Sequence, residues 1–223
     1  MSYLNKLLSI LKEGDRMPKQ TFFNLSKEKR ERLLRAAYKE FSKFSLENAS
    51  INAIIRESDI SRGSFYQYFE DKEDLYFYCL HLLKSNEKEN VENCFKKENG
   101  DLFKGLEGTF DYLFDTYFCG KNKEFYHHFF VNMTYRLSRN IYTDAQHTQT
   151  DQHYEKSLQD LTAIIDKTKL NFDSDSELQE FIRYTFQMIH WSISRVFLQN
   201  LSKEEAKRIV NQRLSWLKNG ITK

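Results

Sequence analysis

The sequence predicts an all-α fold. A chain of 223 residues carries 1 Pro and 7 Gly, so few positions can interrupt a helix. Apolar residues recur three and four apart along most of its length, and Ser or Asp stands ahead of several of these runs as a cap. The length suits one small domain followed by a larger one. No run of 18 apolar residues occurs, which argues against a membrane-spanning helix.

Met1 to Arg16 places Leu4, Leu7, Leu8 and Leu11 on one helical face that Lys6 and Lys12 interrupt. It lacks the basic start and the cleavage site of a signal peptide. Ser50 caps a helix in which Ile51, Ile54 and Ile55 share a face, and Ser58-Asp59 ends it because both residues favour local side-chain to backbone bonds. Ile60 plugs the turn, and Ser61 caps a second helix whose Phe65 and Phe69 lie four apart and face the isoleucines. At about 100° per residue the opposite arc is centred on Gly63, Ser64 and Gln67, with Arg62, Tyr66 and Tyr68 on its flanks. Arg62 suits a phosphate or a guanine edge, Gln67 an adenine edge, and the tyrosine hydroxyls phosphate oxygens. Gly63 lets the backbone approach a duplex closely. Asp71 caps a third helix with Lys72 in its first turn, where free amides, the helix dipole and a full charge together favour a phosphate.

That third helix is expected to run from Asp71 to about Lys96, with Leu75, Cys79, Leu82 and Leu83 inward. Asn99-Gly100-Asp101 breaks it. Leu102, Phe103, Leu106, Phe110, Leu113, Phe114 and Tyr117 mark the next helix, which Gly120 ends. Phe125 to Tyr142 is dense in aromatics, and Thr143 to His153 reads as a loop or helix start. Leu158, Leu161, Ile164 and Ile165 mark a further helix before a loop at Asn171 to Ser176. Two terminal helices follow, roughly Glu177 to Asn200 and one from the capping box Ser202 to Glu205. The first carries Phe186, Ile189, Ile193 and Phe197, the second Ile209, Val210, Leu214 and Leu217. These stripes either close the subunit core or cover a second copy of the chain; the sequence leaves both open.

The stretch from Ser50 to Lys72 resembles the helix-turn-helix of the TetR family of transcriptional regulators. Ser50, Ile54, Ile60-Ser61, Arg62-Gly63-Ser64-Phe65-Tyr66, Tyr68-Phe69 and Lys72 fall on that family's pattern of Thr or Ser, Ile, Val-Ser, Lys-Gly-Thr-Leu-Tyr, an aromatic or His with Phe, and Lys. Upstream, Leu34, Ala36-Ala37 and Phe41 match its first helix. Ile55 replaces the usual Ala, Asp59 the usual turn Gly and Ser45 the usual Gly after the first helix. Asp59 and Ser45 are therefore expected to hold left-handed conformations.

The resemblance implies an N-terminal extension or arm over residues 1–26, a three-helix DNA-binding domain over 27–87 and a helical effector-binding and dimerisation domain over 88–223. It implies a cytoplasmic homodimer on a palindromic double-stranded operator, released by a small apolar effector. Ser50, Arg62, Gly63, Ser64, Tyr66, Gln67, Tyr68 and Lys72 would meet the DNA. Tyr112, His127, His128, Gln187, His190 and Trp191 are the candidate effector contacts, and the eight apolar residues named on the terminal helices are the candidate dimer face. Two alternatives stand: a ligand-independent activator or global regulator, and a protein-interaction module that has lost DNA binding.

Charge agrees weakly. Residues 17–72 hold 11 Lys plus Arg against 8 Asp plus Glu, too small an excess for non-specific polyanion binding to be the main activity. Cys79, Cys94 and Cys119 are odd in number and lack metal-ligand spacing, which fits small half-buried apolar side chains in a reducing compartment. His127 and His128 are adjacent, so on a helix they diverge by about 100° and make a poor metal pair. No cofactor, no metal and no catalytic constellation is expected: there is no phosphate-cradling Gly loop and no nucleophile elbow.

Overall fold

The computed structural model describes residues 18–140 and 151–220, with side chains outside 132–154, and no strand occurs among them. The apolar stripe of Met1 to Arg16 and the polar stretch up to Thr150 lie outside the described residues. The helices in order are α1 (Gln20–Phe23), α2 (Lys27–Lys43), α3 (Ile51–Ser58), α4 (Arg62–Tyr68), α5 (Lys72–Lys84), α6 (Glu87–Lys97) and α7 (Leu102–Phe114). A π-helical turn (Asp115–Cys119) leads to α8 (Lys123–Asn140) and α9 (Asp151–Ile164); a 3-10 turn (Lys167–Lys169) precedes α10 (Asp175–Gln199) and α11 (Lys203–Asn219). Ser26, Ser50, Ser61, Asp71, Asp101, Ser174 and Ser202 each accept an amide three residues on with their side chains, satisfying first-turn donors that have no partner inside the helix. At Ser202 the full capping box forms with Glu205.

The helices gather into two compact units. The first contains α1 to α5 and residues 121–139. Its core is built from Phe22, Leu33, Ala36, Ala37, Phe41, Ile54, Phe65, Phe69, the inner side of α5, and Phe125, Phe129 and Phe130 of α8. Tyr76 links α2 to α8: its ring meets Phe41 edge-on at 5.0 Å and stacks on Phe125 at 5.0 Å. Cys79 is fully buried and burial pushes its thiol up, so it packs as an apolar side chain.

The second unit contains α6, α7 and α9 to α11. Here α6 packs on α7 through Phe95, whose ring fills the place a Cβ would take at Gly105. Gly100 has φ +79°, and a Cβ there would stand 2.5 Å from the Ile164 carbonyl oxygen. Only glycine fits, and the Gly100 carbonyl accepts the Asp166 amide at 2.9 Å, tying the start of α7 to the end of α9.

Two expectations change. The single helix from Asp71 to Lys96 is divided at Ser85-Asn86 into α5 and α6. Ser85 sends both its amide (3.5 Å) and its hydroxyl (2.9 Å) to the Leu82 carbonyl, a tightened last turn of the kind that Ser and Asn favour over helix continuation.

The terminal stripes also resolve differently. Ile189, Ile193, Val210 and Leu214 are buried inside the second unit, and Phe186, Phe197, Ile209 and Leu217 are half-buried there. Phe197 stacks on Phe118 at 4.0 Å. The four buried side chains close the subunit core, while the four half-buried ones keep part of their surface open. Another face of the same helices stays open: Tyr184, Trp191 and Leu198 on α10 and Trp216 on α11 are each half or more exposed. The first terminal helix also begins earlier than expected, at Asp175 behind the Ser174 cap, and ends at Asn200 in the left-handed region.

Candidate nucleic-acid interface

Two short helices and the turn between them form the candidate reading head, and α2 holds them in place. In α3, Ile54 is buried while Ile51 and Ile55 are half-buried. In α4, Phe65 is fully buried, and Phe69, one residue beyond the helix, is buried beside it with ring centroids 5.7 Å apart. This is the inward face that the spacing predicts.

The turn is fastened from both sides. Asp59 ends α3 at φ +52°, and the next amide, Ile60, reaches back to the Ile55 carbonyl at 3.1 Å. Arg32 of α2 donates to the Ser58 carbonyl at 2.7 Å and pairs with Asp59 at 3.8 Å. Lys39 donates to Glu57 at 2.7 Å, which holds that carboxyl below its usual range. Glu40 accepts the Ser50 amide at 2.8 Å, fixing the start of α3.

Asp59 is as expected; Ser45 is not. The non-glycine residues at positive φ are Asp59, Asn99 and Asn200 among the described residues. Ser45 instead offers its carbonyl to the amides of Asn48 (3.0 Å) and Ala49 (2.9 Å), closing the loop at negative φ. Replacing Asp59 by Gly should stabilise the first unit by about 0.5–1 kcal/mol, because Gly removes the left-handed cost and loses part of that gain as chain entropy. The Asp59 side chain is 90% exposed, so the lost ion pair subtracts little. A denaturant midpoint that fell in Asp59→Gly would refute this account.

The outward arc of α4 carries Arg62, Gly63, Tyr66 and Gln67 exposed, with Ser64 and Tyr68 half-buried. Arg62 is held in place: it donates to the Asn52 side chain at 2.7 Å and to the Tyr66 hydroxyl at 3.4 Å, with its guanidinium 5.7 Å from the centre of the Tyr66 ring. Asn52, an exposed residue of α3, was not expected at the site; the i, i+4 spacing of Arg62 and Tyr66 signals their pairing, but nothing local signals Asn52. Ser64 is engaged with the Ser61 cap. The Ser50 hydroxyl accepts the Ala53 amide at 3.3 Å and keeps its own proton to donate.

Lys72 has a second role that the sequence did not signal. Its ammonium donates to the carbonyls of Glu47 and Ala49, each at 2.9 Å, so it fastens the α2–α3 loop to the start of α5 and keeps a third N–H donor. Asp71 caps α5 through the Asp74 amide at 2.9 Å.

Of the effector candidates, His127 and His128 belong to the first unit, and Tyr112, Gln187, His190 and Trp191 to the second. His127 is exposed, and burial pulls the half-buried His128 imidazole below its ordinary value. In the second unit His190 is buried, Gln187 is half-buried, and the Tyr112 hydroxyl accepts from Asn90 at 3.2 Å. Trp191 is 51% exposed between the guanidiniums of Arg195 and Arg213, 5.0 and 4.6 Å from its ring, on the outer face of α10. Among the described residues no cluster of three His, Cys, Asp or Glu could hold a metal ion, and no helix is long and apolar enough to cross a membrane.

Comparison with known proteins agrees with this geometry. Residues 33–79 match the family described as bacterial regulatory proteins, tetR family, and residues 101–221 match the tetracyclin repressor-like C-terminal domain. HTH-type transcriptional regulators of Staphylococcus aureus strains USA300 and NCTC 8325 are each 40% identical over 55 residues, which is 25% of this chain and 30% of theirs. The chain thus aligns with under a third of the length of these curated relatives. A TetR family transcriptional regulator from Chloroflexus aurantiacus J-10-FL is 22% identical over 92% of this chain and 98% of its own, with a TM-score of 0.47. The reading head lies within the first of the two matched regions and helices α7 to α11 within the second, and the chain belongs to the TetR family of bacterial transcriptional regulators.

Proposed function

We propose that the protein is a homodimeric repressor that acts in the cytoplasm, reads a palindromic operator with α4 and releases it when a small apolar effector binds. The observation that carries this reading is the division of α4. Phe65 lies wholly in the core while Arg62, Gly63, Tyr66 and Gln67 face outward together, an arrangement that core packing alone does not require. Tyr66 and Arg62 are pre-ordered on one another, which lowers the entropy lost on contacting a phosphate or base. Dimerisation is supported by the exposed Tyr184, Trp191 and Leu198, seven apart on α10, and by Trp216 on α11. A two-fold pair would set two α4 helices in successive major grooves about 34–36 Å apart. Within the second unit, Tyr112, Gln187 and His190 remain the polar candidates for an effector, whose coupling to DNA binding is worth about 1–3 kcal/mol in such switches.

The test is selection of bound sequences from a random duplex pool by the purified full-length protein at a stated salt concentration. Enrichment of a palindrome with half-sites about one turn apart is the expected result; no enrichment from folded dimer would sink the reading. On the selected operator, Gln67→Ala should cost about 1–3 kcal/mol and relax preference at one base position per half-site. A uniform loss across all sequences would instead place Gln67 on the backbone.

A further inference from the structure

The reading helix α4 has 7 residues, well under the roughly 12–15 that an isolated helix needs, and the last carbonyls of any helix lack partners within it. In α4 these carbonyls are met from the segment ahead of α2. The Lys19 amide donates to the Tyr68 carbonyl at 2.8 Å. The Lys19 ammonium donates to the Tyr66 carbonyl at 3.0 Å, and the Thr21 hydroxyl donates to the Gln67 carbonyl. Three successive carbonyls at the end of the reading helix are thus held by two residues more than forty positions away. The same ammonium lies 3.2 Å from Glu70, and its positive charge sits at the negative end of the helix dipole. The segment is anchored by Phe22, which is fully buried with its ring 5.1 Å from Phe69 and 5.4 Å from Tyr78. Pro18, with no amide to satisfy and a fixed φ, precedes the clamp.

We propose that Lys19 and Thr21 are positioning residues: they clamp the C-terminal end of α4 and set the attitude at which Arg62, Tyr66 and Gln67 meet the duplex, without contacting DNA themselves. The affinity arm of this inference rests on the DNA-reading function proposed above; the structural arm does not. Lys19 would otherwise pass for a phosphate contact, being a basic residue beside the reading helix. Its ammonium is instead committed to a carbonyl and a carboxylate at the helix end.

The test uses full-length Lys19→Met, Thr21→Val and the double variant, each read by operator affinity over a salt series and by amide hydrogen exchange. A clamp predicts that exchange of the amides from Phe65 to Phe69 rises about tenfold in the double variant while those of α2 hold. It predicts that the uncharged change at Thr21 weakens operator binding as the change at Lys19 does, with no change in the slope of log affinity against log salt. A phosphate contact predicts the reverse: Thr21→Val silent, and the slope of Lys19→Met reduced by about one. That result, or unaltered exchange in the double variant, overturns the proposal. If the unaltered protein binds no selected operator, the repressor reading fails and the exchange arm alone decides the clamp.

Discussion

Phe65→Ala is expected to destabilise the first unit by about 3–5 kcal/mol and to abolish operator binding at temperatures where the second unit stays folded. The side chain is fully buried, and its ring lies 5.3 Å from Tyr66 and 5.7 Å from Phe69. Since whole domains are stable by only about 5–15 kcal/mol, the loss takes a large share of what holds the reading head together. Thermal unfolding followed by tryptophan fluorescence and by circular dichroism separates the outcomes. Both tryptophans, Trp191 and Trp216, lie in the second unit, so the helical signal should show an early loss that the fluorescence does not. A single transition at an unchanged midpoint would mean that Phe65 does not anchor α4.

The second large effect concerns assembly. In Trp191→Glu combined with Trp216→Glu, two rings that are 51% and 50% exposed become carboxylates. Each ring is half exposed and neither belongs to the fully buried core, so helicity should persist while the proposed dimer comes apart. A carboxylate pressed into an apolar contact is desolvated without a designed partner; Arg195 and Arg213 flank position 191 and would offset only part of that cost on one side. Sedimentation should report one copy where the parent chain shows two. Operator affinity should fall by about 10²–10⁴-fold, the gain that linking two reading heads ordinarily confers, and the salt slope should halve with the phosphate contacts. By contrast, Ile193→Ala, inside the subunit, should lower stability before it alters assembly. Retained dimers in the double variant would show that the copies meet elsewhere.

The fold and the inward face of the reading head were legible because they depend on residues near one another in the chain. A cap at Ser50, Ser61, Asp71 or Ser202 is settled within three residues, and the apolar period of 3.6 identifies the buried side of a helix without naming its neighbour. Asp59 could be read the same way, since its left-handed conformation is a property of the turn itself. Ser45 could not. Its loop is closed by its own carbonyl and by Lys72 from beyond α4, a reach that no local pattern signals.

By itself, then, the sequence determined an all-helical chain, a helix-turn-helix with Phe65 and Phe69 inward and Arg62, Tyr66 and Gln67 outward, and membership of a regulator family. Only the tertiary structure decided which apolar stripe of α10 is core and which is surface, because Ile189 and Trp191 both fit a helical period and only packing within the second unit covers one of them. It also decided that Lys72 binds loop carbonyls and that Lys19 and Thr21 hold the end of α4. These pairings join residues 23 to 49 positions apart, and hydrogen bonds over such separations form only once other helices have brought the chain back on itself, which no local pattern encodes.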